Sequence, residues 1–285
     1  MTLDVRPLSP VLGAEIRGID LREAIAPAVA ARITQAWRDH LVLLFRDQQL
    51  SVADQLRFTR LFGEVAGSGT EGSERKDPVL MLGNYDLPGQ KVSKYALGEM
   101  QFHQDGVYAE EPTKATFLFA LEVPAEGGNT CFASTGYVYE HLPPKLRARV
   151  DGLDARFNYY TNMKRGVDEV REFVRPEMVH PIVIAHPETG KPAMLCNRLM
   201  TDSIVGLTPD ESAALLEELY RHLEAPGAIY EHRWRAGDLV VWDNLGTSHA
   251  RPWYDPAHRR MMQRTTVRGT RPVALHDRAA TPAAR

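Results

Sequence analysis

Beyond residue 115 the chain is a succession of short runs rich in β-branched, aromatic and aliphatic residues, each cut off by Gly, Pro or a charged turn. The pattern predicts strands over Ala115–Glu122, Thr130–Ala133, Val179–Ala185, Ala193–Cys196, Tyr230–Trp234, Asp238–Trp242 and Met261–Val267. Helical spacing interrupts them at Gly136–Leu142, Pro144–Leu153 and Pro209–His222. Many short strands with a few inserted helices favour an antiparallel double sheet over a parallel α/β sheet. The expected class is therefore mainly β with flanking helices (α+β), built on a jelly-roll core. Before this region, residues 23–38 read as a helix, Leu41–Phe45 as a short buried strand, and Ser51-Val52-Ala53-Asp54 as the capped start of a helix running to Phe62. A short strand is expected near Val79–Leu82.

With 285 residues, 44% of them hydrophobic, the chain can bury one full core, so residues 1–285 are read as a single domain. Segments of about 66–101 and 156–178 read as lids, and 270–285 as a tail that loses order after its first residues. A net charge of −3, with no run of like charges, gives nucleic acid nothing to bind. No stretch is long and apolar enough for a signal peptide or a membrane span, which points to a cytoplasmic protein with no membrane partner. Cys131 and Cys196 lie far apart and are expected as buried free thiols.

The stretch Phe102-His103-Gln104-Asp105-Gly106 carries an imidazole and a carboxylate two positions apart. In an extended segment both would point to the same face while Gln104 faces away. An HxD triplet alone fits a hydrogen-bonded pair as well as a ligand pair. Of the ten histidines, His40, His141 and His222 sit in or at the ends of helices, and His258 and His276 in a turn and the tail. His180 and His186, each followed by Pro, read as strand-edge punctuation, and His232 as one polar residue of an alternating strand. His249 differs, because it follows Leu239–Asn244, a buried strand ending in a polar turn. Two histidines and a carboxylate form the facial triad of non-haem Fe(II) oxygenases, which leaves coordination positions open; zinc favours more His or Cys.

His103-x-Asp105, Gly127-Gly128-Asn129-Thr130, Trp242-Asp243-Asn244, His249 and His258–Arg264 together resemble the Fe(II)/2-oxoglutarate-dependent dioxygenases of the taurine dioxygenase and 2,4-dichlorophenoxyacetate dioxygenase family. The resemblance extends from Gly13–Leu21 through Leu43–Ser51 to Val267. It implies a double-stranded β-helix core, iron held by His103, Asp105 and His249, and 2-oxoglutarate bound by Thr130 and Arg260. Arginine suits that role because its planar fork meets a carboxylate in two parallel hydrogen bonds. On a strand running 259–265, Arg260, Met262 and Arg264 would share one face. Arg259 would belong to a solvated face. Arg264 matches a family position that contacts a substrate's acidic group, and Tyr95 and Glu99 are further candidates for substrate contact.

The resemblance implies O2-dependent hydroxylation of a small organic anion (a carboxylate, sulfonate or sulfate ester) coupled to decarboxylation of 2-oxoglutarate to succinate, in a homodimer or homotetramer. The same ligands would also serve a cupin-like metalloenzyme that does not use 2-oxoglutarate, or a non-catalytic binding protein. Two departures speak against taurine itself. After Phe62-Gly63-Glu64 the chain continues Val65–Glu71, without the histidine and tyrosine of taurine enzymes, and Glu99 stands where they have asparagine. The lids carry Tyr85, Tyr159, Tyr160, Met163, Lys91, Lys94, Lys164 and Arg165, a lining that suits an anion with an apolar body. Arg198, just beyond the strand Ala193–Cys196, is a further cation of the same kind.

Overall fold

The computed structural model describes residues 3–67, 77–89, 92–93, 99–159 and 177–278. Two sheets carry the architecture. The larger runs in the order Asp4–Pro7, Ala14–Arg17, Val42–Phe45, Leu239–Asp243, Ala115–Glu122, Met261–Val267, Leu80–Gly83, Val92–Ser93, with Val65–Ala66 also paired to Met261–Val267. The smaller runs Ile229–His232, Thr130–Ser134, Thr247–Arg251, Met100–His103, antiparallel throughout. Two further small sheets join Met178–Pro181, Asp154–Phe157 and Thr201–Ile204, and Val183–Ala185 with Pro192–Met194.

Strand alternation assigns the central strands two different neighbours. Leu43, Phe45, Phe117, Phe119, Leu239 and Val241 face one way, into a cluster with Ile33, Ala36 and Trp37 of the helix Pro27–His40 and with Phe58 and Phe62. Edge-to-face ring contacts knit that layer, with Trp37–Phe62 at 5.4 Å and Phe62–Phe117 at 5.0 Å between centroids. Val42, Leu44, Leu118, Ala120, Val240, Trp242 and Met262 face the other way and meet Phe132 of the smaller sheet. The functional side chains lie on this second side, so the larger sheet is lined by helix on one face and by the site on the other.

Element ends move where local chemistry overrides periodicity. The first helix starts at Pro27, not residue 23, and stops at Leu41, whose φ of 64° is a left-handed cap and whose N–H bonds Trp37 O. Ser51 and Asp54 form the expected capping box, but the helix closes at Thr59 and its last turn, Arg60–Phe62, tightens to 3-10 geometry. The run expected as Val179–Ala185 splits into Met178–Pro181 and Val183–Ala185, which belong to different sheets. His180 lies inside the first of these, next to its last residue, and His186 directly follows the second, at the edge expected of it; both are buried. Ala115–Glu122 and Met261–Val267 lie where expected.

Residues 68–76, 90–91, 94–98 and 160–176, which include most of the second lid-like segment and Lys91, Lys94, Tyr95, Tyr160, Met163, Lys164 and Arg165, lie outside the described residues. At the start of the expected tail, Ala185 N donates to Val273 O and a helix spans Leu275–Arg278. Among the described residues no helix is long and apolar enough to cross a membrane.

Candidate metal centre and cosubstrate pocket

The smaller sheet sets its side chains in rows. His249 stands opposite His103 on one side and Phe132 on the other, and Phe132 stands opposite Tyr230. Two residues along the strands, Thr130 pairs with His232. The antiparallel register that pairs Ala250 with Cys131 brings Arg251 next to Thr130. Cross-strand neighbours share a face. The histidine row and the Thr130 row therefore open onto the same space.

His103 closes the strand Met100–His103, and Asp105 lies beyond it in a turn, so the two are not consecutive on one extended face as expected. The turn forms because Gly106 adopts a φ of +77°, with Thr113 N bonded to Asp105 O. The side chains still converge. His103 Nε2 is 3.8 Å from Asp105 Oδ1, and one ligand atom each from His103, Asp105 and His249 lie within 4.8 Å of one another, all three residues buried. Gln104 points elsewhere, donating to Met194 O and Asn244 O. His103 Nδ1 lies 2.9 Å from Gln101 O. A carbonyl can only accept, so Nδ1 carries the proton and Nε2 presents its lone pair.

Burial pushes both imidazoles below their usual pKa, His249 furthest, and the positive charge of Arg264 adds to the effect. Both are neutral at physiological pH, the form a metal requires. Burial would raise the Asp105 carboxyl, but the Arg264 charge and then the Thr116 hydrogen bond oppose it, and the group lies well below the usual carboxylate range. Asp105 Oδ2 accepts from Arg264 Nη2 at 2.8 Å and from Thr116 Oγ1 at 2.8 Å.

The turn after Trp242 has two tasks. Asp243 Oδ1 accepts from Leu245 N and Gly246 N and lies 3.0 Å from His186 Nε2, shaping the crossover from the larger sheet to the strand Thr247–Arg251. Asn244 braces Asp105: its Oδ1 takes Trp242 Nε1 and Asp105 N, and its Nδ2 donates to Thr116 Oγ1.

On the neighbouring side of the space, Thr130 Oγ1 accepts from Trp234 Nε1 at 3.0 Å. Arg260 is 3% exposed and precedes the strand Met261–Val267, not within a strand 259–265; the pairing register slips between Met261 and Met262. Asn84 fixes its backbone, accepting Arg260 N at 2.9 Å while donating to His258 O and Pro256 O. The side chain runs past Gly128, where an added Cβ would sit 3.5 Å from Arg260 Cδ and Nε. Arg260 Nε is buried with no partner among the described residues, and burial, then the nearby Arg251 charge, pull the guanidinium down to about 10.

The structure thus brings His103, Asp105, His249 and Arg264 into contact, with Thr130 and Arg260 set apart from them. Glu99 is exposed one residue before Met100–His103. Arg259 is exposed as expected, paired with Glu122 and stacked 3.9 Å from the Tyr85 ring centre. Tyr85, read as part of a lid, is held to the same Glu122 by its hydroxyl. Arg198 is tied to Glu217 and Glu224. The sequence reading missed Asn84, Thr116, Trp234 and Arg251, and gave Asn244 no role. The Trp-Asp-Asn run was the available signal for Asn244 alone.

Two imidazoles and one carboxylate around open space are the ligand set of a mononuclear non-haem iron oxygenase. The chain belongs to the TauD, TfdA family of taurine catabolism dioxygenases, which matches residues 4–266. It is 32% identical over 277 residues to pentalenolactone F synthase of Streptomyces avermitilis, covering 90% of each chain. It is 33% identical over 278 residues to the (S)-phenoxypropionate/alpha-ketoglutarate-dioxygenase of Sphingobium herbicidovorans, covering 93% of this chain and 95% of that one. A crystal structure of AAD-2 in complex with Mn(II) and N-oxalylglycine superposes with a TM-score of 0.81 at 27% identity, over 95% of this chain and 99% of that one. The protein is a 2-oxoglutarate-dependent dioxygenase, using Fe(II), 2-oxoglutarate and O2.

Proposed function

We propose that His103, Asp105 and His249 hold the iron, that Thr130 and Arg260 bind the distal carboxylate of 2-oxoglutarate, and that Arg264 receives the acidic group of a small organic anion. Three convergent ligand atoms, together with a buried Arg260 whose Nε has no partner among the described residues, support this reading. The larger and smaller sheets then form the two walls of a double-stranded β-helix, in one domain.

Bound iron, with 2-oxoglutarate and O2, supplies oxidative decarboxylation to succinate and carbon dioxide and the transfer of one oxygen atom to a substrate C–H bond. The chain's own groups orient and shield. The neutral imidazoles and the ionised Asp105 offer ligands without a proton to displace. Arg260 meets the far carboxylate in a dry pocket, where a charge-assisted pair is strong. Trp234 N–H occupies a lone pair of the Thr130 hydroxyl, which leaves the hydroxyl proton to donate to that same carboxylate. Phe132, Trp242 and Met262 keep water from the wall behind His249.

Relatives named for phenoxypropionate and pentalenolactone support an organic acid as substrate, and a carboxylate, sulfonate or sulfate ester each fits Arg264. Glu99 is proposed at the entrance, where its charge would disfavour a second anionic group, and Tyr95 as a lid contact. Anaerobic addition of Fe(II) and 2-oxoglutarate is expected to give a metal-to-ligand band in the visible. Succinate release, corrected for uncoupled turnover, then ranks a panel of aryloxyalkanoates, sulfonates and sulfate esters. Folded protein without the band sinks the site assignment, and a panel without any coupled turnover sinks the substrate class.

A further inference from the structure

We infer that Thr116 and Asn244 are positioning residues that confine Asp105 to one metal-facing oxygen, and that Thr116 keeps this hold when a substrate anion draws Arg264 away. The inference rests on the metal and Arg264 assignments above. Asp105 divides its two oxygens between different tasks. Oδ1 faces His103 Nε2 at 3.8 Å and takes no hydrogen bond from a described residue. Oδ2 takes two, from Thr116 Oγ1 and from Arg264 Nη2, each at 2.8 Å.

The hydrogen-bond directions can be assigned without ambiguity. Trp242 Nε1 and Asp105 N can only donate, at 3.0 and 3.3 Å to Asn244 Oδ1. That fixes the Asn244 amide, so Nδ2 is the atom 2.9 Å from Thr116 Oγ1, and it donates. The Thr116 hydroxyl has one proton. With a lone pair engaged by Asn244, the proton goes to Asp105 Oδ2. Donors therefore run one way, from Trp242 and the Asp105 main chain through Asn244 and Thr116 back to the carboxylate. Thr116 and Asn244 are wholly buried on Ala115–Glu122 and in the turn after Leu239–Asp243, the two neighbouring strands at the centre of the larger sheet.

The other donor differs in kind. The Arg264 side chain is 24% exposed and faces the open side, as the residue assigned to the substrate's acid must. An incoming anion competes with Asp105 Oδ2 for the same guanidinium. If Arg264 were the only partner, its departure would free Oδ2 to turn toward the metal, and a carboxylate bound through both oxygens would take up a position that cosubstrate or O2 needs. Thr116, out of reach of solvent and locked by Asn244, prevents that turn.

The test compares Thr116→Val, which keeps the shape and removes the hydroxyl, with Thr116→Ser, which restores it. Two readouts are taken beside thermal melting: Mn(II) affinity of the metal-free protein by electron paramagnetic resonance, and the visible band of the anaerobic Fe(II)–2-oxoglutarate complex. Thr116→Val is expected to bind Mn(II) about 10- to 100-fold more weakly, the usual effect of losing a partner behind a ligand, and to shift the band. Thr116→Ser should return both toward wild type. Asn244→Ala, which frees the hydroxyl to rotate, should lower Mn(II) affinity in the same direction, and it decides the matter should Thr116→Val fail to fold. A folded Thr116→Val or Asn244→Ala protein with wild-type affinity and an unmoved band overturns the positioning role. So does a Thr116→Ser protein that melts like wild type yet binds as poorly as Thr116→Val. Wild-type protein that takes up no Mn(II) overturns the metal assignment itself, and this inference with it.

Discussion

The two halves of the proposed site, the metal half and the cosubstrate half, differ in how their charges are balanced. On the metal half, Asp105 faces two donors, Asn244 has partners for both ends of its amide, and His103 has its Nδ1 proton and its carbonyl engaged, the latter by Ser248 Oγ. Charge is balanced within the chain, because Arg264 answers Asp105. On the cosubstrate half, Arg260 is buried with no carboxylate of a described residue beside it and with Arg251 as a like-charged neighbour. The carboxylate and guanidinium of the metal half balance each other before any metal arrives, although His249 Nδ1 and Arg264 Nε lack hydrogen-bond partners among the described residues. A site for a dianion can only be completed by the dianion, and until then the fold carries an uncompensated buried charge.

Removing a metal ligand should have the largest effect. His249→Ala and Asp105→Ala are expected to abolish the Fe(II)–2-oxoglutarate band and coupled succinate release, with a loss of metal affinity beyond the roughly 10- to 100-fold that an outer partner commands. Asp105→Ala should also melt lower than wild type without metal, because it strands the Arg264 guanidinium. Arg260→Met should do the reverse on stability. Losing one side of a buried charge pair costs about 2–5 kcal/mol, so 2-oxoglutarate should bind about 30- to several-thousand-fold more weakly. Without ligands the same variant should melt above wild type, since an unpaired buried charge has been replaced by an apolar chain. Mn(II) affinity should not change. If Arg260→Met instead lowers the melting temperature of the ligand-free protein as Asp105→Ala does, the contrast between the halves is wrong.

The contrast also explains what could be seen in the sequence. The convergence of His103, Asp105 and His249 was legible because two imidazoles and a carboxylate are the donors that metal chemistry demands, and the buried run before His249 marked it among ten histidines. Ala115–Glu122 and Met261–Val267 were legible because their apolar patterns are long. Short strands such as Asp4–Pro7, Asp154–Phe157 and Thr201–Ile204 were not, because four residues at a sheet edge carry little periodicity. Thr247–Arg251 was missed for a different reason: it is buried on both faces yet built of Thr, Ser, His and Arg, whose burial is decided by tertiary partners alone. Asn84, Thr116 and Trp234 act through side chains far away in sequence, 176, 11 and 104 positions from the residues they hold. Nothing local announces such a role, and the burial of His180, His186 and His232 was hidden for the same reason.

A smaller effect sharpens the description of the cosubstrate half. Trp234→Phe keeps the ring beside His232 but removes the N–H that orients Thr130. One neutral hydrogen bond is worth about 1 kcal/mol, so the apparent KM for 2-oxoglutarate should rise about five-fold while kcat and metal affinity hold. Equal losses in kcat and in Mn(II) binding would instead make Trp234 a general support of the sheet.

The weakest effect is one of sign. The metal histidines and His186 are all buried, but in opposite electrostatic settings. Burial depresses His103 and His249, so the unfolded chain binds more protons than the folded one near neutrality. Their contribution to the stability of metal-free protein is present above the unfolded histidine value of about 6.5 and is lost as pH falls toward their lowered values. His186 is also penalised by burial, yet Asp243 at 3.0 Å overrides the penalty and raises it. Its contribution is present below that unfolded value and is lost as pH rises through the raised one. Melting of metal-free protein should therefore fall on both sides of neutrality, for different reasons on each side. His186→Gln should remove the decline on the alkaline side and leave the acid side untouched, whereas His249→Gln should soften the acid side only. Identical melting profiles for wild type and His186→Gln between pH 6 and 8, a range set to bracket the ordinary histidine value, would mean that Asp243 shapes its turn through Leu245 and Gly246 alone and that the imidazole beside it is neutral.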